Sequence, residues 1–336
     1  MQSIIILYKN KQFHIVIICI GLLLQLFIRN EVLAKNVNSS YKVGEISIHF
    51  RGANADNETE NTRLIQGLNS SLKTVLSSSI FSSNILPAWG IIIDGSFTES
   101  EGYFSSELKT PAGLPAILLQ RNALINEAGQ TRLIAHELFH LMHFQKRPKE
   151  ADWVQEGLAQ LTEYLVTGNF NRSLLSAFTS PETSLTEGFA FHDREQNSKN
   201  QTLAQYGHAL QYFYYLYRLC GKNELYEILV NSSSQKNGVN FIDEQLKILA
   251  HTKTLDPICT SFEKSFVAFE HARFFPKVAP SSSYIISADM AATVRPKPNA
   301  IPLPPFSARA FKLQNEQNCS PGIIIDGDCF EIRLGN

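Results

Sequence analysis

An excess of charge of either sign is missing from this sequence. Its 336 residues carry 30 Lys and Arg against 31 Asp and Glu, and neither end has a basic or acidic tail. That balance removes the electrostatic footprint of a nucleic-acid-binding chain, so no nucleic-acid partner is expected. Long apolar runs are scarce as well: beyond residue 34 nothing approaches the roughly 20 apolar residues of a membrane span. There is no Asp-rich loop with calcium-ligand spacing. Core material, by contrast, is ample. With 44% hydrophobic residues, 10% aromatics and only 18% charged residues, the composition is globular and excludes a disordered chain. The length fits one large domain or two to three smaller ones.

The N-terminus reads as a secretory signal peptide. Residues 1–14 hold Lys9 and Lys11 and no acid, and Ile15–Ile28 is apolar apart from Gln25. Val32 and Ala34 then stand at −3 and −1 of a cut before Lys35. An apolar run of about 14 residues is short for a spanning anchor, so cleavage between Ala34 and Lys35 is expected. The mature protein would be secreted, periplasmic or on the cell surface, with no membrane span. Cleavage removes three bases and one acid and moves the net charge from −1 to −3. It also removes Cys19 and turns five cysteines into an even set, Cys220, Cys259, Cys319 and Cys329, in a compartment that allows disulfides. Four cysteines permit three connectivities. The pairing expected is Cys319 with Cys329, which flank a turn-and-strand segment, and Cys220 with Cys259.

Along the chain, Glu45–Arg51, Gly90–Asp94 and Ala116–Gln120 read as strands, and Asn61–Ser77 has helical periodicity. Helical patterns dominate from about Thr131 to Thr167 and again from Thr202 to Leu219. Proline density over 281–305 marks a linker or extended segment. After it, Phe306–Leu313 and Gly322–Leu334 read as strands of a small β module at 306–336. The hexapeptide Gly-Ile-Ile-Ile-Asp-Gly occurs at 90–95 and 322–327, which suggests two strand-plus-turn segments. The fold class expected is α+β, with residues 35–280 as one domain: an N-terminal mixed sheet followed by a helical part.

Chemistry concentrates in Leu133-Ile-Ala-His-Glu-Leu-Phe-His-Leu-Met-His-Phe-Gln145. His136 and His140 are one helical turn apart on one face, so two imidazoles can reach one cation. Glu137, beside the first, can reach a metal-bound water. The other positions are apolar nearly all round, so the helix is expected to be buried, and buried histidines need partners that a metal supplies. His143 lies about 10 Å along the axis from His136, too far to share its metal. It reads as a group behind the ligands, a cleft wall or a buried hydrogen-bonded residue. The metzincin continuation would need Gly at 143 and His at 146, where the chain has His143 and Lys146. A third ligand is found instead in Asp152-Trp-Val-Gln-Glu-Gly-Leu-Ala-Gln160. Asp152 with Gln155 resembles a capping box that starts a second helix. Glu156 in its second turn can project back at the histidines, and Gly157 beside it permits close backbone approach.

Ala-His-Glu-Leu-Phe-His followed by Trp-Val-Gln-Glu-Gly-Leu-Ala-Gln resembles the gluzincin metallopeptidases, within them the hyicolysin-like secreted bacterial group. The resemblance is strong over about 131–168 and slight over 204–221, where Tyr206-Gly207-His208 opens an aromatic-rich segment. It implies a zincin-like domain with one Zn2+ held by His136, His140 and Glu156, and Glu137 as the general base. The activity implied is hydrolysis of a peptide or protein substrate. Gln160 departs from the group, where an acid or small residue often stands, so either Gln160 or Glu163 is the partner of a ligand histidine. Tyr206 or His208 is the candidate donor to the developing oxyanion. Pro115–Gln120 is the candidate sheet edge for a substrate strand. An aminopeptidase is disfavoured because no Gly-x-Met-x-Asn motif is present. The competing reading is a non-catalytic surface binding or adhesion protein that retains the zincin fold.

Overall fold

Ile91-Ile92-Ile93 and Ile117-Leu118-Leu119 are unbroken apolar runs, the pattern of strands buried on both faces. In the computed structural model they form the middle of a five-stranded mixed sheet, and each of the six side chains is buried. The structure describes residues 37–170, 173–179, 183–187, 189 and 199–274, and the strand residues 295–296, 308–313, 323–325 and 328–334. Residues 1–34, expected as a signal peptide, lie outside this set.

Two units divide the chain, one running to Leu133 and the other from Ile134 onward, with Ser78–Ile80 grouped with the second. The first holds the sheet: β1 (Val37–Val43), β2 (Ile46–Arg51), β3 (Gly90–Asp94), β4 (Gly102–Lys109) and β5 (Pro115–Gln120), in the order β1-β2-β3-β5-β4. β2, β3 and β5 are parallel, and β1 and β4 are antiparallel edges. Helix α1 (Glu58–Ser77) connects β2 to β3 and buries Leu68, Leu72 and Val75. A one-turn helix, α2 (Ser79–Ser82), follows it. At the carboxyl ends of β2 and β3, Arg51 Nε donates to Asp94 at 2.7 Å, a buried pair locking the register in which these residues face each other.

The expectation of Pro115–Gln120 as the sheet edge is corrected here. β5 lies between β3 and β4, and the edge on that side is β4. β4 escapes sequence reading because its Tyr-Phe-Ser-Ser-Glu-Leu stretch is mostly half-exposed or exposed and carries no apolar alternation.

Helix α3 (Glu127–Lys146) begins in the first unit and carries the chain into the second. Asn126 starts it, its Oδ1 accepting from the Gly129 amide at 2.8 Å. As its composition demands, Leu133, Ile134, Ala135, Leu138, Phe139, Leu141 and Met142 are all buried. The second unit continues with α4 (Asp152–Thr167), α5 (Ser173–Thr179), α6 (Lys199–Leu219), α7 (Asn223–Asn231), α8 (Gly238–Thr252) and α9 (Phe262–Phe274). Its core is aromatic. Trp153 of α4 stacks on Phe213 of α6 with ring centres 5.5 Å apart. Tyr212 lies among Phe262, Phe266 and Phe269 of α9, its hydroxyl bonded to Ser265 Oγ at 2.9 Å.

Two glycines set the helix spacing. A Cβ on Gly157 would stand 2.4 Å from the Phe213 ring, and one on Gly207 would stand 2.1 Å from the Ser173 carbonyl oxygen. Only hydrogen at these positions lets α4 and α5 approach α6 so closely. The expected Cys220–Cys259 disulfide is present and ties the end of α6 to the short 3-10 turn (Pro257–Thr260) before α9.

A four-stranded sheet closes the chain: β6 (Arg295–Pro296), β7 (Ala308–Leu313), β8 (Ile323–Ile325) and β9 (Asp328–Leu334), in the order β6-β7-β9-β8. Both copies of the Gly-Ile-Ile-Ile-Asp-Gly hexapeptide therefore supply a strand, β3 and β8. β6 falls inside the segment expected as a linker, and a proline is tolerated there because β6 is an edge strand. Cys319 is outside the described residues, and with it the expected pair to Cys329. The architecture is mixed α+β. No helix among the described residues is long and apolar enough to cross a membrane.

Candidate metal centre

His136, Glu137 and His140 come from the middle of α3, and Glu156 and Glu163 come from α4. The connection between these helices is only five residues long, Arg147–Ala151, so two neighbouring helices present their polar side chains to one another. Each ligand candidate is mostly buried, with side-chain exposures of 13% for His136, 11% for His140 and 13% for Glu156. The three donor atoms converge. His136 Nε2 and His140 Nε2 are 3.1 Å apart. Glu156 Oε2 stands 3.2 Å from the first and 3.6 Å from the second. This cluster can hold a metal ion.

The protonation pattern follows from the neighbours. His136 Nδ1 is 2.6 Å from Glu163 Oε1, and the Glu163 side chain is almost wholly buried. A carboxylate there accepts a hydrogen bond from Nδ1–H and turns Nε2 of the ring toward the cluster. Burial alone lowers the His136 pKa, but the hydrogen bonds to Glu156 and Glu163 outweigh it and raise it well above the ordinary imidazole value. Burial likewise pushes Glu156 up, yet the charges and hydrogen bonds of His140 and His136 hold it well below the usual carboxylate range. Glu137 differs: burial dominates and lifts its carboxyl above that range. Two carboxyls in one pocket are thereby driven in opposite directions, one to stay charged and one to exchange protons more readily near neutrality.

The choice between Gln160 and Glu163 is now made. Gln160 Nε2 donates to the Tyr206 carbonyl at 3.0 Å and its Oε1 accepts from Ser173 Oγ at 2.6 Å, so it joins α4 to α5 and α6. Glu163, seven residues and nearly two turns beyond Glu156, reaches the histidine. The Asp152–Gln155 capping box is not formed. Ala151 is the cap residue, and Gln155 Nε2 instead donates to the Glu150 carbonyl at 2.9 Å. The helix starts where the box predicted, but a different carboxylate organises that start.

His208 is corrected from a candidate oxyanion donor to a buried structural group. It is fully buried, Nδ1 is 2.9 Å from the Thr183 carbonyl and Nε2 is 2.7 Å from Glu270 Oε1. Glu270 in turn accepts from Arg273, so both ring nitrogens are used inside the core. Tyr206 is half-buried. Its ring packs on Phe189 at 5.5 Å, and its carbonyl is the one bound by Gln160, a turn beyond Glu156. His143 is fully buried and stacks on Phe139 with ring centres 5.0 Å apart, which makes it part of the packing of the helix.

Compared with known protein families and with curated proteins, the sequence matches none.

Proposed function

We propose that the protein is a secreted zinc peptidase of the gluzincin type, which hydrolyses peptide bonds in a peptide or protein substrate. The observation that carries this reading is the shape of the donor triangle. Zinc–ligand distances of about 2.0–2.1 Å separate the corners of a tetrahedron by about 3.3–3.4 Å. The three donor atoms stand 3.1, 3.2 and 3.6 Å apart. Two imidazoles and one carboxylate are also a donor set that leaves a fourth position open for water in catalytic zinc sites.

A zinc ion held by His136, His140 and Glu156 would supply Lewis-acid activation of the scissile carbonyl and of the attacking water. Glu137 then accepts the proton of the attacking water and returns it to the leaving amine. A carboxyl lifted by burial is better matched to that task near neutral pH than an ordinary one. Glu163 holds the His136 ring in the tautomer and orientation that ligation needs. Tyr206 is the remaining candidate to donate a hydrogen bond to the developing oxyanion. The zincin-like domain is part of the same proposal, supported by the mixed sheet followed by two ligand-bearing helices. The Cys220–Cys259 disulfide suits an oxidising, extracytoplasmic compartment.

The test is Glu137→Gln. Zinc content is expected to survive while cleavage of a denatured protein mixture disappears. Retained cleavage overturns the role of Glu137. A zinc-loaded wild type that never cleaves favours the binding-protein reading.

A further inference from the structure

The five-residue connection between the two ligand-bearing helices contains a buried ion pair that the chemistry above does not use. Arg147 and Glu150 have side-chain exposures of 2% and 0%. Arg147 Nε donates to Glu150 Oε2 at 2.8 Å, and Nη2 reaches the same oxygen at 2.6 Å. Nη1 donates to the Ser234 carbonyl at 2.9 Å, Nη2 donates also to the Lys236 carbonyl, and the guanidinium carbon lies 3.5 Å from the centre of the Phe241 ring. The other oxygen of Glu150 accepts from the Ala151 amide at 2.8 Å and from the Gly238 amide at 2.7 Å. Asn237 Nδ2 adds a bond to the Lys149 carbonyl at 3.2 Å.

This arrangement is costly to bury unless every donor and acceptor is satisfied, and here the carboxylate is used on both oxygens. Such a pair is weak evidence for net stability, which turns attention to the geometry it fixes. What it specifies can be read from its position. Arg147 follows the last residue of α3, and its amide donates to the His143 carbonyl. Ala151 is the cap residue of α4 and precedes Glu156 by five positions. The far side of the clamp is the segment joining α7 to α8, ending on Gly238, the first residue of α8. Both ends of the connection are thus fastened to a third body, which leaves α4 little freedom to slide or turn relative to α3.

We propose that the Arg147–Glu150 pair is a positioning device for the metal centre: it fixes the register of Glu156 against His136 and His140. The inference rests on the proposed metal site, since a cluster that binds nothing has no register to protect. A shift of one ångström along α4 would pull the Glu156 carboxylate out of reach of a cation held by the two histidines. Lysine at 147 keeps the charge but not the planar fork, so it cannot hold Glu150, Ser234 and Lys236 together.

The test is metal titration of the full chain with Zn2+ and Co2+ for the wild type, Arg147→Lys and Glu150→Gln, with Leu68→Ala on the buried face of α1 as a destabilised control. Arg147→Lys and Glu150→Gln are expected to lose about tenfold or more in zinc affinity. The visible bands of the cobalt-loaded protein should change in position and intensity, as a displaced carboxylate requires. Leu68→Ala should keep the wild-type affinity and cobalt spectrum. Wild-type affinity and bands in both clamp variants overturn the proposal and leave the metal reading intact. An equal change in Leu68→Ala also overturns it, by showing generic destabilisation. A wild type that takes up neither metal overturns the metal reading itself. Should both clamp variants fail to fold, hydrogen exchange on the wild type decides. Metal loading should protect the Ala151 and Gly238 amides more than those of α9, and equal protection contradicts the clamp.

Discussion

His136 Nδ1 and Glu163 Oε1 are 2.6 Å apart across two helices, and neither residue is near the other in sequence. This contact decides which nitrogen of His136 carries a proton and which faces Glu156 and His140. Removing the carboxylate frees the ring to rotate and to change tautomer. Glu163→Ala is therefore expected to weaken zinc binding by about 10–100-fold. Glu163→Gln, which can still accept the Nδ1 proton's hydrogen bond, should lose less. Competition with a chromophoric chelator measures both, and an unchanged affinity in Glu163→Ala contradicts the assigned role.

Tyr206→Phe removes one hydroxyl and no ring. If Tyr206 donates to the oxyanion, kcat falls by roughly 10²–10³ while KM and zinc content stay near wild type. Steady-state kinetics on a peptide substrate reads the split. A rise confined to KM assigns Tyr206 to substrate binding instead.

Gly157 sits beside Glu156 and against an aromatic ring. A methyl at this position meets Phe213 at 2.4 Å, so the ring or the helix has to move. Gly157→Ala is expected to destabilise the protein by about 1–3 kcal/mol, an overpacking cost. Because Glu156 is the preceding residue, zinc affinity should fall with it. Thermal unfolding with and without a chelator separates the two effects, and a fully stable variant contradicts the close α4–α6 approach.

The Cys220–Cys259 disulfide spans 39 residues of sequence. A closed loop of that size restrains the unfolded chain by about 4 kcal/mol in the entropy model, with measured losses in similar cases of about 2–5 kcal/mol. Replacing both cysteines with serine should lower stability by that order. Zinc stoichiometry should be unaffected, since neither cysteine is in the metal cluster. Denaturant unfolding and metal analysis check the pair of outcomes.

Acid sensitivity follows from His143. Burial, reinforced by the Arg147 charge, pushes its pKa down to about 3 from 6.5. Between those values the unfolded chain binds a proton that the folded one does not. Its contribution is thus intact above pH 6.5 and is lost as pH falls from there toward 3, by up to about 1.4 kcal/mol per pH unit. His143→Phe keeps a ring against Phe139 and removes the titration. Its unfolding free energy, measured on metal-free protein, should depend less steeply on pH below about 6. An identical slope in variant and wild type would show that His143 can be protonated without unfolding.

Much of this architecture is legible in the sequence for identifiable reasons. The Ile91–Ile93 and Ile117–Leu119 runs are apolar enough to announce buried strands, though not which of them lies at an edge. The spacing of His136, His140 and Glu156 survives because two regular helices and a short connection translate sequence distance into geometry. Edge strand β4 is not legible, since its exposed Ser106, Glu107 and Lys109 follow no burial rule. The order of β5 and β4 is equally hidden, being a matter of pairing between strands. His208 looks chemical in sequence, and only its contacts with Glu270 and Thr183 show that it is spent inside the core. Arg147 and Glu150 look like ordinary connector charges, because their partners are carbonyls and amides more than 80 residues away.

The most direct test of the central claim is X-ray absorption at the zinc edge on the purified mature protein, combined with metal analysis. One zinc per chain is expected, with two imidazole nitrogens and carboxylate or water oxygen at about 2.0–2.2 Å. Less than about half an equivalent of zinc in the absence of chelators, or a first shell without imidazole, would contradict a site built from His136, His140 and Glu156.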